Sequence, residues 1–279
     1  MTAIAALQPF YALAGFVIGL LVGMTGVGGG SLMTPLLILL FGIHPAVAVG
    51  TDLLNAAVTK TAGSFVHGLN GTIDWRVVRR LAAGSVPMTI ITIAALNHLD
   101  INGPVTQQLI GVVLTFALLL TAATLLFRKA LVARYAVRIG ALPENRIALL
   151  TVIVGGLLGV LVSISSVGAG AIGVTALALL YPKLPTARIV GSDIAHAVPL
   201  TLVAGLGHWF LGSVDWQIFA ALVLGSVPGI LIGSYAAIRL PEAALRIVLA
   251  VTLFVVAMKL SFGLLPPSGN VVAVQAAPP

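Results

Sequence analysis

Lys60 and Asp52 are ionisable residues in a stretch of sequence that is otherwise apolar enough for a membrane helix. Both lie in "GTDLLNAAVTKTAGSF", residues 50–65, and Lys60 is the first Lys or Arg of the chain. A lysine at the centre of a membrane helix costs at least ~2.5 kcal/mol on insertion scales. The two residues are about 12 Å apart along a helix and are not helical neighbours. Two interpretations of Lys60 stay open: a cation facing an anionic substrate, or a structural ion pair with a carboxylate on another helix.

Asp193 and His196 form a second polar pair, in "GSDIAHA". They are three residues apart and therefore share one face of a helix. In the internal repeat described below, Asp193 matches Asp52 and His196 matches Asn55. An aspartate after Gly-Thr or Gly-Ser can accept hydrogen bonds from free backbone N–H groups, so the two aspartates are candidates for an architectural role. The alternative is that this polar set binds a coupling proton or cation.

Two glycine-rich stretches, "TGVGGGS" and "SSVGAGA", interrupt long apolar runs. Free N–H groups at a helix N-terminus bind anions, and we expect new helices to begin near Ser31 and Ala171. Glycines that only let helices pack closely are the alternative, and a P-loop is disfavoured because no GK[ST] ending follows. The predicted substrate-binding residues are Thr25, Val27, Gly28, Gly29, Gly30, Ser31, Lys60, Ser165, Ser166, Val167, Gly168, Ala169, Gly170 and Ala171.

The composition is that of an integral membrane protein. The 279 residues are 59% hydrophobic and 8% charged, with a mean hydropathy of +1.17, whereas soluble domains carry about a quarter charged residues. Glycine and proline within the apolar runs indicate a helical bundle rather than a barrel. The net charge of +7 does not indicate nucleic-acid binding, because the basic residues lie in short loops. The chain has no cysteine, and we expect no cofactor and no metal site.

The chain contains an internal repeat. "LVGMTGVGGGSLM" at Leu21 matches "LVSISSVGAGAIG" at Leu161, and "VGTDLLNA", "GTIDW" and "GSVP" return as "VGSDIAHA", "GSVDW" and "GSVP" about 141 positions later. A periodic match of this length predicts two equivalent structural units. We assign residues 1–127 to the first repeat, 128–146 to a basic cytoplasmic linker, 147–262 to the second repeat and 263–279 to a disordered tail.

Each half contains one glycine-broken segment followed by three plain apolar segments. Placing 12 of the 14 basic residues on the cytoplasmic side puts equivalent loops on opposite faces. This predicts an all-α polytopic bundle of two inverted repeats with both ends outside. Each broken segment would be a helical hairpin, either re-entrant or two short spans. The segments are 10–41, 46–68, 77–97 and 105–127, then 147–181, 187–210, 217–238 and 243–262.

Several of these stretches resemble the sulfite exporter TauE/SafE family of bacterial membrane proteins. They are "GMTGVGGGSLMTPLL", "GTDLLNAAVTK", "GTIDW", "GSVP" and "GSDIAHAVPLTLVAGLGH", and the resemblance covers roughly residues 10–262. It implies a two-half permease of the bacterial inner membrane that moves sulfite-like oxyanions or sulfur-containing organic anions. "SSVGAGA" departs from the first-half pattern because it lacks consecutive glycines.

The leading hypothesis is a secondary transporter that moves a small anion by alternating access around the two hairpin tips. Export of an anion from a negative-inside cell releases about 2.3 kcal/mol per charge per 100 mV, whereas uptake needs coupling to H⁺ or Na⁺. Asp52, Asp193 and His196 are the candidates to bind that ion. A passive anion channel is the alternative. An intramembrane aspartyl hydrolase is disfavoured, because the two aspartates are explained by the duplication.

Overall fold

The computed structural model of the chain describes residues 2–25, 30–101, 103–236 and 242–264, and the regular structure within these ranges is helical. Five helices, α4, α5, α6, α8 and α9, are long and apolar enough to cross a membrane, so the protein is a polytopic helical membrane protein. The described residues form ten helices: α1 (Thr2–Thr25), α2 (Gly30–Phe41), α3 (Pro45–Leu69), α4 (Trp75–Asn97), α5 (Pro104–Gly140), α6 (Glu144–Ser165), α7 (Ala171–Leu180), α8 (Thr186–Phe210), α9 (Trp216–Ala236) and α10 (Glu242–Leu264).

The repeated "GTIDW" and "GSVDW" motifs form the turns into α4 and α9. Gly71 and Gly212 adopt φ values of 61° and 72°, in the left-handed region that favours glycine. The Asp74 carboxylate then accepts hydrogen bonds from the backbone N–H groups two and three residues later, at 3.0 and 3.3 Å. Asp215 does the same at 2.9 and 3.0 Å. Each motif therefore supplies a turn glycine and a helix N-cap.

Each predicted hairpin contains two helices separated by its glycine-rich stretch. In the first hairpin α1 ends at Thr25 and α2 begins at Gly30. In the second hairpin α6 ends at Ser165 and α7 begins at Ala171. The second arms, α2 and α7, have 12 and 10 residues, about 15–18 Å of helix. They are too short to cross a hydrocarbon layer of about 30 Å on their own.

Helix pairing connects the two halves of the chain. The first arm of each hairpin packs on the third segment of the other half: α1 on α9, and α6 on α4. The fourth segments, α5 and α10, also pack together. At the centre α3 crosses α8, with Leu54 against Gly205 and Gly63 facing Ile194. These two contacts show that α3 and α8 run antiparallel.

Glycines allow the close approach of α4 to α6 and of α1 to α9. A Cβ added at Gly84 would collide with the carbonyl oxygen of Val152, and one added at Gly225 would collide with that of Ala12. Small residues spaced four apart are typical of tightly packed membrane helices. The same restriction applies to Gly15, Gly19, Gly155, Gly159, Gly229 and Gly233.

The segment predicted at 105–127 is only part of a longer helix. α5 has 37 residues, about 55 Å at 1.5 Å per residue, and it continues through the basic stretch to Gly140. Residues 128–139 contain neither glycine nor proline, so no local signal stops the helix earlier. The non-helical part of the predicted linker is therefore limited to 141–143. Of the predicted tail, 263–264 complete α10 and 265–279 lie outside the described residues.

Candidate functional site

Asp52 connects both hairpins to α3. Its side chain is 1% exposed, and its Oδ2 accepts hydrogen bonds from Thr34 Oγ1 at 2.6 Å and from Ser166 Oγ at 2.9 Å. Thr34 belongs to α2, the second arm of the first hairpin, and Ser166 directly follows α6 in the second hairpin. The Thr34 backbone also hydrogen-bonds to this carboxyl. A single buried carboxyl therefore ties together elements of both halves.

Asn55 and His196 make equivalent contacts across the two halves. Ser226 Oγ on α9 donates to Asn55 Oδ1 at 2.8 Å. Ser85 Oγ on α4 lies 2.8 Å from His196 Nε2. The two serines are the second residues of the two "GSVP" motifs. Within the described ranges, His196 Nδ1 is buried and has no hydrogen-bond partner.

Lys60 is buried, and its ammonium group contacts the break in the second hairpin. The Lys60 Nζ donates to the carbonyl oxygen of Ala169 at 3.0 Å, and the residue is 7% exposed. The ion pairs found among the described residues do not include it. Asp52 and Asp193 are close enough to interact with it electrostatically. The ammonium group is thus bound by a neutral carbonyl. The ion pair of the alternative interpretation is not found among the described residues.

Asp193 has surroundings unlike those of Asp52. It is 1% exposed, and in the described part of the chain neither carboxyl oxygen has a hydrogen-bond partner. The carboxyl lies against Gly173 of α7, where an added Cβ would collide with Oδ1. The backbone N–H partners that the sequence suggested for both aspartates are therefore not found at Asp193.

The second helix break has a defined backbone conformation. Ser166, Gly168 and Gly170 have φ values of 59°, 118° and 143°, so three residues in the left-handed region stop the helix between α6 and α7. Ser165 Oγ donates to the carbonyl of Leu161 at 2.6 Å and accepts from the N–H of Val167 at 3.2 Å. Ser166 and Ala169 reach Asp52 and Lys60, whereas Ser165 bonds to its own backbone.

The first break is described only in part. Gly30 and Ser31 begin α2, and Ser31 is buried. Thr25 ends α1. The other predicted anion-binding residues there, Val27, Gly28 and Gly29, lie outside the described residues.

A cavity of about 200 Å³ lies beside Lys60. It has space for several water molecules, and it lies toward the end of α3 that contains His67. A second, much smaller void of about 10 Å³ reaches Asp52 and Asn55, and the two share Val22, Thr59 and Ile230. The larger cavity is lined by Val22, Gly23, Thr59, Lys60, Ala62, Gly63, Val66, His67, Val190, Ile194, Ile230 and Leu231.

His67 and His208 lie near the ends of α3 and α8, and each contacts the turn that follows its helix. His67 Nδ1 lies 2.8 Å from Thr72 Oγ1, and His208 Nδ1 lies 2.9 Å from Ser213 Oγ. Each histidine thereby fixes the turn after its helix. His208 Nε2 also lies 2.8 Å from the carbonyl of Ser163 on α6.

Three polar partners were not identified from the sequence: Thr34, Ser85 and Ser226. The repeated "GSVP" motif was a usable signal for the two serines, because a hydroxyl kept in both halves suggests a common partner. Thr34 carries no comparable signal in a single sequence. Among the described residues, no group of three or more His, Cys, Asp or Glu is arranged to hold a metal ion.

Comparisons with known proteins agree with this architecture. The model of the family described as sulfite exporter TauE/SafE matches residues 11–260. "Probable membrane transporter protein YjnA" of Bacillus subtilis is 37% identical over 249 residues, which cover 89% of this chain and 97% of that protein. "Probable membrane transporter protein YdhB" of the same organism is 24% identical over 248 residues, covering 88% and 97%. No solved structure matches the chain. The chain belongs to the sulfite exporter TauE/SafE family.

Proposed function

We propose that the protein is a secondary transporter of the bacterial inner membrane for a small sulfur-containing anion, such as sulfite or a short organosulfonate. The observation that carries the proposal is the position of Lys60. Its ammonium group is buried beside a cavity of about 200 Å³ and is bound by the carbonyl of Ala169. No carboxylate among the described residues forms an ion pair with it. A charge buried at this cost inside the helical bundle of a membrane protein indicates a functional site.

An anion that enters the cavity would replace the Ala169 carbonyl as the partner of Lys60. A charge-assisted hydrogen bond of this kind contributes roughly 1.5–3 kcal/mol. The remaining oxygens of the anion would bind backbone N–H groups and hydroxyls of the two helix breaks, with Ser166 and Ser31 as hydroxyl candidates. One ammonium suits alternating access, because several would hold the anion too tightly for release.

The proposed topology is two inverted repeats, and three features of the described helices support it. The equivalent helices α3 and α8 run antiparallel. The α1–α9 pair has its counterpart in α6–α4. The N–H of Asp74 donates to Ser192 Oγ at 2.8 Å, and the equivalent N–H of Asp215 donates to Thr51 Oγ1 at 3.0 Å. In inverted-repeat transporters the substrate site is built from discontinuous helices at the repeat interface.

The arrangement of the basic loops supports a cytoplasmic position for the cavity. The cavity reaches His67 near the end of α3, and the next helix begins with Arg76, Arg79 and Arg80, which the positive-inside rule assigns to the cytoplasm. In the proposed cycle this conformation would be the inward-facing one. Movement of the hairpins against α3 and α8 would close this side and open the other.

A binding screen tests the proposed function. Detergent-purified protein is titrated with sulfite, sulfate, thiosulfate and methanesulfonate, and we expect saturable binding of at least one sulfur oxyanion and none of chloride at equal ionic strength. Uptake into proteoliposomes should then saturate with concentration. Flux that rises linearly without saturation would show a channel, and binding of none of the four anions would contradict the proposal.

Reporter fusions test the topology independently of transport. Fusions after Ile73 and after Ser213 interrupt equivalent turns of the two halves. We expect the first to report the cytoplasmic side and the second the external side. The same side for both fusions would overturn the inverted arrangement.

A further inference from the structure

The two equivalent aspartates differ in whether their carboxyl groups have partners. Asp52 is held by Thr34 and Ser166, whereas Asp193 has no hydrogen-bond partner among the described residues. We propose that Asp193, and not Asp52, binds a proton that crosses the membrane together with the anion. This inference rests on the proposed transport function and assigns its coupling ion to a single residue.

The surroundings of Asp52 commit it to structure. Two hydroxyls from two different hairpins donate to the same carboxyl oxygen, so this carboxyl links the two hairpins. The partner from the second hairpin, Ser166, has Gly26 as its counterpart in the first half of the sequence. Asp193 therefore cannot receive the equivalent hydroxyl hydrogen bond.

The surroundings of Asp193 lower the stability of the protein, because a buried carboxyl without a hydrogen-bond partner is unfavourable. This cost is explained if the carboxyl has a use in another state. A buried polar group without a hydrogen bond costs about 1–3 kcal/mol, and an isolated buried carboxylate costs far more. A bound proton removes the charge without any further ligand. Na⁺ is a poor occupant by comparison, because hard cations require several oxygen ligands, and the backbone of Gly173 closes one side of the carboxyl.

The charged and titratable groups that face Asp193 link it to the anion site. Lys60 on α3 and Arg128 on α5 interact electrostatically with it, and His196 lies one turn further along its own helix. An anion bound to Lys60 would occupy that positive charge and would add a negative charge near Asp193, so proton binding becomes more favourable. By reciprocity, a bound proton strengthens anion binding.

Release follows from the same linkage. When Asp193 loses its proton, the carboxylate competes with the anion for the ammonium of Lys60. The protonated site therefore loads the anion, and the deprotonated site expels it. For a monovalent anion the transported complex carries no net charge, so the membrane potential no longer opposes uptake.

Proton uptake on anion binding tests the proposal. Methanesulfonate is the probe, because it stays ionised across the neutral range and takes up no proton itself. Isothermal titration in two buffers of different ionisation enthalpy measures the protons exchanged. We expect the wild-type protein to take up as much as about one proton per bound anion. Asp193→Asn should abolish this uptake and remove the pH dependence of binding, whereas the matched variant Asp52→Asn should retain the uptake.

Infrared difference spectroscopy identifies the group that is protonated. Methanesulfonate should induce a carboxylic acid C=O band that is absent in Asp193→Asn, present in Asp52→Asn and shifted in Asp193→Glu. If Asp193→Asn does not fold, the shift in Asp193→Glu decides the assignment, and an unshifted band overturns the proposal. Anion binding without proton uptake, or equal uptake in Asp193→Asn, would overturn it as well. Failure of any anion to bind would instead contradict the proposed function.

Discussion

Asp52 and Asp193 occupy equivalent positions on α3 and α8, yet one carboxyl is held by two hydroxyls and the other by none among the described residues. The same contrast extends two turns along these helices. Lys60 has Thr201 as its counterpart, and Thr201 Oγ1 donates to the Ala197 carbonyl of its own helix at 2.7 Å. One half thus directs an ammonium at the neighbouring hairpin, and the other half directs a hydroxyl at its own backbone.

The contacts that hold the helices together are, by contrast, nearly the same in both halves. The Asn55–Ser226 pair corresponds to the His196–Ser85 pair, each at 2.8 Å. The glycine contacts of α4 with α6 correspond to those of α9 with α1. The comparison teaches that the helix-packing contacts are retained in both halves, whereas single substitutions near the helix breaks change the chemistry of the candidate site.

The largest expected effect comes from adding a side chain at the glycines that contact a neighbouring helix in each half. Gly84→Val and Gly225→Val each place a Cβ against a backbone carbonyl of the neighbouring helix. A backbone atom cannot move aside as the end of a flexible side chain would. We expect each change to cost at least ~3 kcal/mol and to abolish monodisperse protein in size-exclusion chromatography. Gly68→Val is the control, because its nearest neighbour is the end of the Ile73 side chain at 3.8 Å. A clear difference in stability between Gly84→Val and Gly225→Val would show that the helix contacts of the two halves are not equivalent.

Removing the two carboxyls should have opposite effects on stability. Asp52→Leu leaves the hydroxyls of Thr34 and Ser166 without their partner and should lower the free energy of unfolding by about 2–3 kcal/mol. Asp193→Leu removes a buried carboxyl that has no partner, so the protein should be as stable as the wild type or more stable. Thermal unfolding in detergent measures both. Equal destabilisation would contradict the distinction between the two sites.

The two structural histidines should differ in the same measurement. His208→Ala removes a buried ring that bridges α8 to the Ser163 carbonyl and to Ser213, and we expect a loss of about 1–2 kcal/mol. His67 is half-buried and hydrogen-bonds to Thr72 in the turn after α3. His67→Ala should cost less than about 1 kcal/mol. A larger effect at His67 would show that the first half depends on this contact more than its geometry suggests.

The smallest effect is expected at Ser166, where two contributions oppose each other. Ser166→Ala removes the hydrogen bond to Asp52 and should cost about 1 kcal/mol. Ser166→Gly removes the same hydrogen bond but relieves a φ of 59°, a conformation that costs a residue with a Cβ roughly 1–2 kcal/mol. The glycine variant should therefore melt at a higher temperature than the alanine variant. The reverse order would show that the backbone at this position is not strained.

The helix breaks were predictable from the sequence because glycine-rich runs stop helices through local backbone preference. α1 ends and α2 begins within "TGVGGGS", and α6 ends and α7 begins within "SSVGAGA". The duplication was equally visible in the sequence. In each case the signal lies within a few residues or is written twice.

The pairing of helices across the halves was not predictable, because it depends on which surfaces fit. Neither the packing of α1 on α9 nor the approach of Thr34 to Asp52 leaves a local pattern. The extension of α5 to Gly140 was missed because the basic residues suggested a linker, while their helix propensity favours continuation. The loss of hydrogen-bond partners at Asp193 also depends on tertiary contacts that one sequence does not reveal.

Anion binding to Lys60 variants is the most direct test of the central claim, that this lysine binds the substrate. Lys60→Met should weaken binding of the best sulfur oxyanion by on the order of ten- to a hundred-fold while the protein still folds. Lys60→Arg should also bind poorly, because a planar guanidinium does not replace a compact ammonium. The double variant Lys60→Met with Asp193→Asn should remain as weak as Lys60→Met alone. Wild-type binding and transport in the double variant would show that Lys60 only neutralises a buried carboxylate, and would contradict the account.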